Sequence, residues 1–229
     1  MRHQHLLAVL IGVTATFAGC DVGGGDVTAT QSGANTVNGS IYVPAGLHSG
    51  SVDTVNGSIH IDDNATVHAA NTVNGRIAIG SHAEAASLST VNGGVTLNPG
   101  ARVAGGVNTV NGGLVLKDGA DVGGHVSNVN GHIVLNAAHV AGGLRTVDGD
   151  IDVSGASRVE GGILVEKPTS SWFSFNSRKP RIVIGPGAVV QGDLRFERDV
   201  TLYVSDKATV GPISGATAIR FSGDAPPAG

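Results

Sequence analysis

The chain is poor in what an ordinary globular domain is built from. Aromatic residues make up 3% of its 229 residues and charged residues 14%. A thick core usually holds several large rings, so this one must be narrow and filled by small side chains. There is one cysteine, Cys20, which excludes an intramolecular disulfide framework. Positive charge is not in excess: the formal net charge is −4, which leaves no basic footprint for nucleic acid. Disorder is excluded in turn, because 41% of the residues are hydrophobic, with Val, Ile and Leu plentiful. What the chain has in abundance is glycine, 36 residues of it. Small β-branched residues and glycine together suit a narrow core with many tight corners.

The amino-terminal residues read as a targeting segment. Met1 to His5 is short and basic, and Leu6 to Ala18 is mostly apolar but too short to span a membrane as a helix. Phe17-Ala18-Gly19-Cys20 then resembles a bacterial lipobox. That resemblance implies a signal peptide over 1–19, cleavage before Cys20, and acylation of its thiol and new amino group. The membrane is thereby an expected partner, through a lipid on Cys20. Asp21 follows the cysteine, and in enteric-type sorting this implies a periplasm-facing inner-membrane anchor. Residues 20–34 are rich in Gly, Thr and Ser and read as a flexible tether.

The rest of the chain is a repeat. Thr-Val-Asn-Gly begins at Thr36, Thr54, Thr72, Thr90 and Thr109, with variants at Asn128 and Thr146, at spacings of 18, 18, 18, 19, 19 and 18. An apolar alternation follows each corner: Ile41/Val43, Ile59/Ile61, Ile77/Ile79, Val95/Leu97, Leu114/Leu116, Ile133/Leu135 and Ile151/Val153. Period two means a strand with one buried face. A turn such as Asn98-Pro99-Gly100 comes next, then a second short strand such as Ala101/Val103, then a third apolar site such as Val107. In the clean repeats the expected inward residues fall six apart: Val55, Ile61, Val67, Val73, Ile79. Three six-residue faces per coil predict an all-β fold, a triangular parallel β-solenoid with coils about 4.8 Å apart. A helix is excluded by the period, and a propeller by the short repeat.

The corner residues should form columns. Asn-Gly suits a sharp turn with positive φ. In register, Asn38, Asn56, Asn74, Asn92, Asn111 and Asn130 would stack, their amides bonding along the column, with Asp148 closing it. The corner threonines would stack alongside. These columns are read as structural ladders in preference to a ligand-binding strip.

Ile182 to Val190 aligns with Val95 to Val103, and Leu202 to Val210 with Ile59 to Val67. Nine coils plus a terminal strand near Ile219 to Phe221 are therefore expected within 35–222, with 223–229 a Pro-rich disordered tail. One loop insertion, 166–181, breaks the rule where an Asn-Gly corner is due. It carries Trp172, Phe173 and Phe175 beside Arg178, Lys179 and Arg181. Exposed rings are normally covered, so the insertion reads either as a flap on the rod's own flank or as a contact for a partner.

No catalytic or metal-binding constellation stands out in the sequence. The histidines occupy different places in their coils and make no ligand spacing, so no metal and no cofactor are expected. Asp148, Asp150 and Asp152 alternate along one strand, but they lack the pattern of a calcium loop and read as a solvated face. No nucleophile elbow or phosphate loop is present, and no catalytic residue is assigned.

Over 36–221 the coils resemble two bacterial families. One is the bactofilins, polymer-forming scaffold proteins with a triangular β-helix of six-residue faces. The other is the adhesin-like β-strand-repeat proteins of the cell envelope, with Asn-Gly corners before Ile-x-Val strands. The first resemblance implies self-association through the solenoid ends. The second implies an envelope protein or polymer as partner. A lipobox departs from the usual bactofilin. The expectation is a non-enzymatic, tethered envelope rod that scaffolds or adheres. The alternatives are a bactofilin-like polymer and a hexapeptide-repeat acyltransferase. The last class places a catalytic histidine in a subunit cleft, and no histidine here has a distinctive setting.

Overall fold

The computed structural model describes residues 25–168 and 178–227. Every strand-to-strand ladder in it is parallel, and the described residues contain no helix. The chain winds as a β-solenoid. Its first face is an 11-stranded sheet running from Val27–Thr28, through Ile41–Val43 and its equivalents, to Ala218–Phe221. The second face stacks the short strands Arg102–Val103, Asp121–Val122, His139–Val140 and their equivalents, and the third stacks Ala34–Asn38, Val52–Asn56, Val107–Asn111 and theirs. Thr66–Thr72 and Glu84–Asn92 pass from the second face to the third without leaving strand geometry. The first strand lies inside the stretch that composition reads as tether: Val27 pairs with Ile41.

The core is a set of columns one side chain wide. Ile59 sits on Ile77, and Ile61 on Ile79, with all four fully buried. The second face contributes alanines and valines, as in Ala101 and Val103. The third contributes Val52, Ala70, Leu88 and Val107, and beside them the corner threonines Thr36, Thr54, Thr72, Thr90 and Thr109, each at most 3% exposed. This corrects the expected phase at the corner. The threonines, not the valines, point inward, and Val55 and Val73 are only half-buried. The reason is a hydrogen bond. Thr54, Thr72 and Thr90 Oγ1 donate to the carbonyls of Gly39, Gly57 and Gly75 of the previous coil at 2.9–3.0 Å, a contact valine cannot make.

Of the corner glycines, Gly131 has the expected positive φ (130°), but the four that precede it have a different reason. Left-handed backbone sits at the other corner, at Asn64 (φ 59°), His82 (φ 56°), Gly100 (φ 71°) and Gly119 (φ 68°). Gly57, Gly75, Gly93 and Gly112 have no positive φ; a Cβ on any of them would collide with a backbone carbonyl of the coil before. Glycine is needed there for close approach between coils.

The carboxy-terminal end is built differently from the middle. Coils of 18 or 19 residues join Ile59 to Ile77 and Val95 to Leu114, whereas Leu202 pairs with Ala218, only 16 residues on. The column that runs through Leu135, Val153, Ile184 and Val204 ends on Arg220, which is exposed. Phe196, 5% exposed, fills the inward column that threonines hold in earlier coils.

Candidate functional site

The asparagine column is a continuous ladder. Nδ2 of Asn56, Asn74, Asn92, Asn111 and Asn130 each donates to Oδ1 of the asparagine one coil earlier, at 2.8–3.0 Å, beginning on Asn38. Each amide from Asn56 to Asn111 therefore spends one N–H and one oxygen lone pair on its own neighbours. Asp148 cannot donate onward when ionised. Instead it is 13% exposed and accepts from Arg198 Nη1, whose guanidinium also donates to the Val147 carbonyl at 3.0 Å. Arg198 lies two residues beyond Phe196, and Phe196 pairs with Val165 of the coil that carries the insertion. It reaches back across that coil to close the ladder. In Asn74→Ala two ladder bonds disappear, each worth about 0.5–1.5 kcal/mol at most on an exposed edge. The expected outcome is a thermal midpoint a few degrees lower with the circular dichroism of the folded rod unchanged.

The base of the insertion is an ion-pair cluster. Arg178 pairs with Asp150, and the Arg181 amide donates to the same carboxylate at 2.8 Å. His132 Nδ1 stands 3.5 Å from Asp150, and Lys179 pairs with Asp199 at 3.1 Å. Arg181 also lies 5.3 Å over the Tyr203 ring. Asp148, Asp150 and Asp152 are thus not a solvated face: Arg198 stands beside the first, Arg178 beside the second and Arg181 near the third. Of the insertion's sequence-assigned residues, Arg178, Lys179 and Arg181 are brought together here. Trp172, Phe173 and Phe175 lie outside the described residues, as does Cys20.

Burial pushes the Asp152 carboxyl above its ordinary range, against the pull of nearby Arg181. An acid whose folded-state pKa is raised destabilises the fold wherever it must ionise. Asp152→Asn should therefore melt higher than the parent at neutral pH. The difference should shrink as pH falls through the raised pKa and vanish below the unfolded value of 3.8. Melting curves at several pH values check this, and a difference that grows in acid would reverse the sign.

A second surface is absent from the corner-based reading. On the outer side of the second face, Glu84, Arg102, Asp121, His139 and Arg158 occupy one column in strict register. Their spacings of 18, 19, 18 and 19 were a signal in the sequence, hidden because the residue changes from each coil to the next. His139 sits between Asp121 at 2.5 Å and Glu160 at 3.4 Å, and the Arg158 guanidinium holds the Glu160 carboxyl below its ordinary range. Two residues along each strand the outward side chains are small: Ala86, Ala104, Gly123. Between the two columns runs an open groove of about 560 Å³, with His68 at one end.

No family model, no curated protein and no solved structure matches the chain.

Proposed function

We propose that the chain is a non-enzymatic, lipid-anchored rod of the bacterial cell envelope, acting as a scaffold or adhesin-like spacer. The observation that carries this reading is where the repeated side chains go. Threonine hydroxyls bond the coil before, asparagine amides bond one another, and glycines close the gap between coils. A motif repeated seven times and consumed by its own neighbours makes length and stiffness. The lipobox-like segment supplies the membrane end through Cys20. The shortened last coil and the exposed Arg220 give the other end a terminus. They weigh against polymer growth by coil stacking there, since an incoming coil would have to bury a cation. The insertion is a second contact in this reading, because its flank is fixed to the rod through Arg178 and Asp150 while it carries three rings.

Fractionation of cells expressing wild-type and Cys20→Ala chains tests the anchor. The wild type should sediment with membranes and carry acyl mass on Cys20, and Cys20→Ala should not. A soluble wild-type chain with an unmodified Cys20 would refute the anchor. Removing Thr169 to Lys179 tests the insertion: the rod should stay folded while envelope association beyond the lipid is lost. Unchanged association would confine the insertion to a packing role.

A further inference from the structure

The charged column on the second face is self-complementary. Consider a two-fold axis lying in that face, along the strand direction, between Arg102 and Asp121. It lays a second rod antiparallel on the first, column against column. Arg102 then meets Asp121 of the second copy, and Glu84 meets His139 of the second copy. In the neighbouring column His68 meets Glu160 of the second copy. Between the charges, Ala104 faces Gly123 and Ala86 faces Ala141, so the backbones can approach closely. The alternative two-fold, along the rod axis, would set the charged residues against the small-residue column and pair only one of them, Arg158 with Glu160. The register that fixes these positions is read directly from the strand ladder.

The charges that would cross are presented outward. Glu84, Arg102, His68 and Glu160 are all exposed. Glu84 and Arg102 occupy adjacent coils in register, yet among the described residues they form no ion pair with each other or with any neighbour. Asp121 already pairs with His139 within the chain and keeps a second carboxylate oxygen, whereas both ring nitrogens of His139 are engaged, by Asp121 and Glu160, so the Arg102–Asp121 contact at the axis carries the pairing.

We infer that the second face is a docking surface for a second copy of this chain, forming an antiparallel, two-fold symmetric pair of rods centred between Arg102 and Asp121. Each contact then occurs twice, as a closed isologous interface requires, and opposite charges set the register. The pair forms side to side and leaves the Arg220 end free. It does not depend on the lipid anchor.

Sedimentation equilibrium of the chain carrying Cys20→Ser tests this, since neither a lipid nor an intermolecular disulfide can contribute. The mass should rise from one chain to two with concentration, and the rise should weaken at high salt. Arg102→Glu and Asp121→Arg should each weaken association by about tenfold or more, because each sets like charges against one another twice. The double variant Arg102→Glu/Asp121→Arg restores opposite charges across the axis and should regain most of the lost affinity. Circular dichroism confirms that each variant is folded. A single-chain mass at every concentration would overturn the inference, and so would a double variant no better than either single one.

Discussion

Gly75→Ala is expected to be the most damaging single substitution of a corner residue. Its Cβ would fall on the carbonyl of Gly57, a backbone atom that cannot swing aside as a side-chain tip can. Gly93 stands in the same relation to Gly75, so the coils on both sides are already packed at contact distance. Relief requires the stack to open by roughly an ångström. That strains the Thr72 bond to the Gly57 carbonyl at 2.9 Å and the Asn74 bond to Asn56 at 2.8 Å together. Overpacking of a well-filled interior costs about 1–3 kcal/mol or more, with up to about 1 kcal/mol for each stretched hydrogen bond. A loss of at least about 3 kcal/mol in urea unfolding is the expected result. A change within about 0.5 kcal/mol, typical of a neutral surface site, would mean that coil spacing is not what the glycine protects.

Asn128→Thr should have the largest effect in the opposite direction. Asn128 occupies the threonine column, 4% exposed, and neither its Oδ1 nor its Nδ2 finds a partner among the described residues. Buried polar atoms left unpaired cost about 1–3 kcal/mol. Threonine already fits this column one coil before and one coil after: Thr109 and Thr146 are each 1% exposed. Thr109 Oγ1 donates to the Gly93 carbonyl at 2.9 Å, and Gly112 stands in the same place for residue 128. The substitution removes the unpaired amide and offers that bond. A gain of about 1–3 kcal/mol is expected, read as a higher urea midpoint with an unchanged slope. A loss would mean that the larger side chain of Asn128 fills space that threonine leaves empty.

Much of the fold could be read before any coordinates, because period and spacing report directly on a one-dimensional stack. Ile59 and Ile61 repeat every coil and are buried at every coil. The inverted assignment at the corner has a physical source. Hydrophobicity favours Val55 over Thr54 as the inward residue, and only the position of the Gly39 carbonyl makes a buried hydroxyl the better choice. The acidic run 148–152 looked solvated because its partners, Arg178, Arg181 and Arg198, lie beyond a loop of unknown path. The column from Glu84 to Arg158 is not legible as a motif, because its regular spacing carries changing chemistry.

Small-angle X-ray scattering from the Cys20→Ser chain in high salt, where lateral contacts between charged faces are screened, is the decisive measurement. Eleven parallel strands along one face imply a stack on the order of 48 Å from first strand to last. A discrete rod that ends at Arg220 should give a maximum dimension near that length plus its tails, independent of protein concentration. A dimension that grows steadily with concentration would mean that coils stack end to end, and the chain would then be a filament subunit.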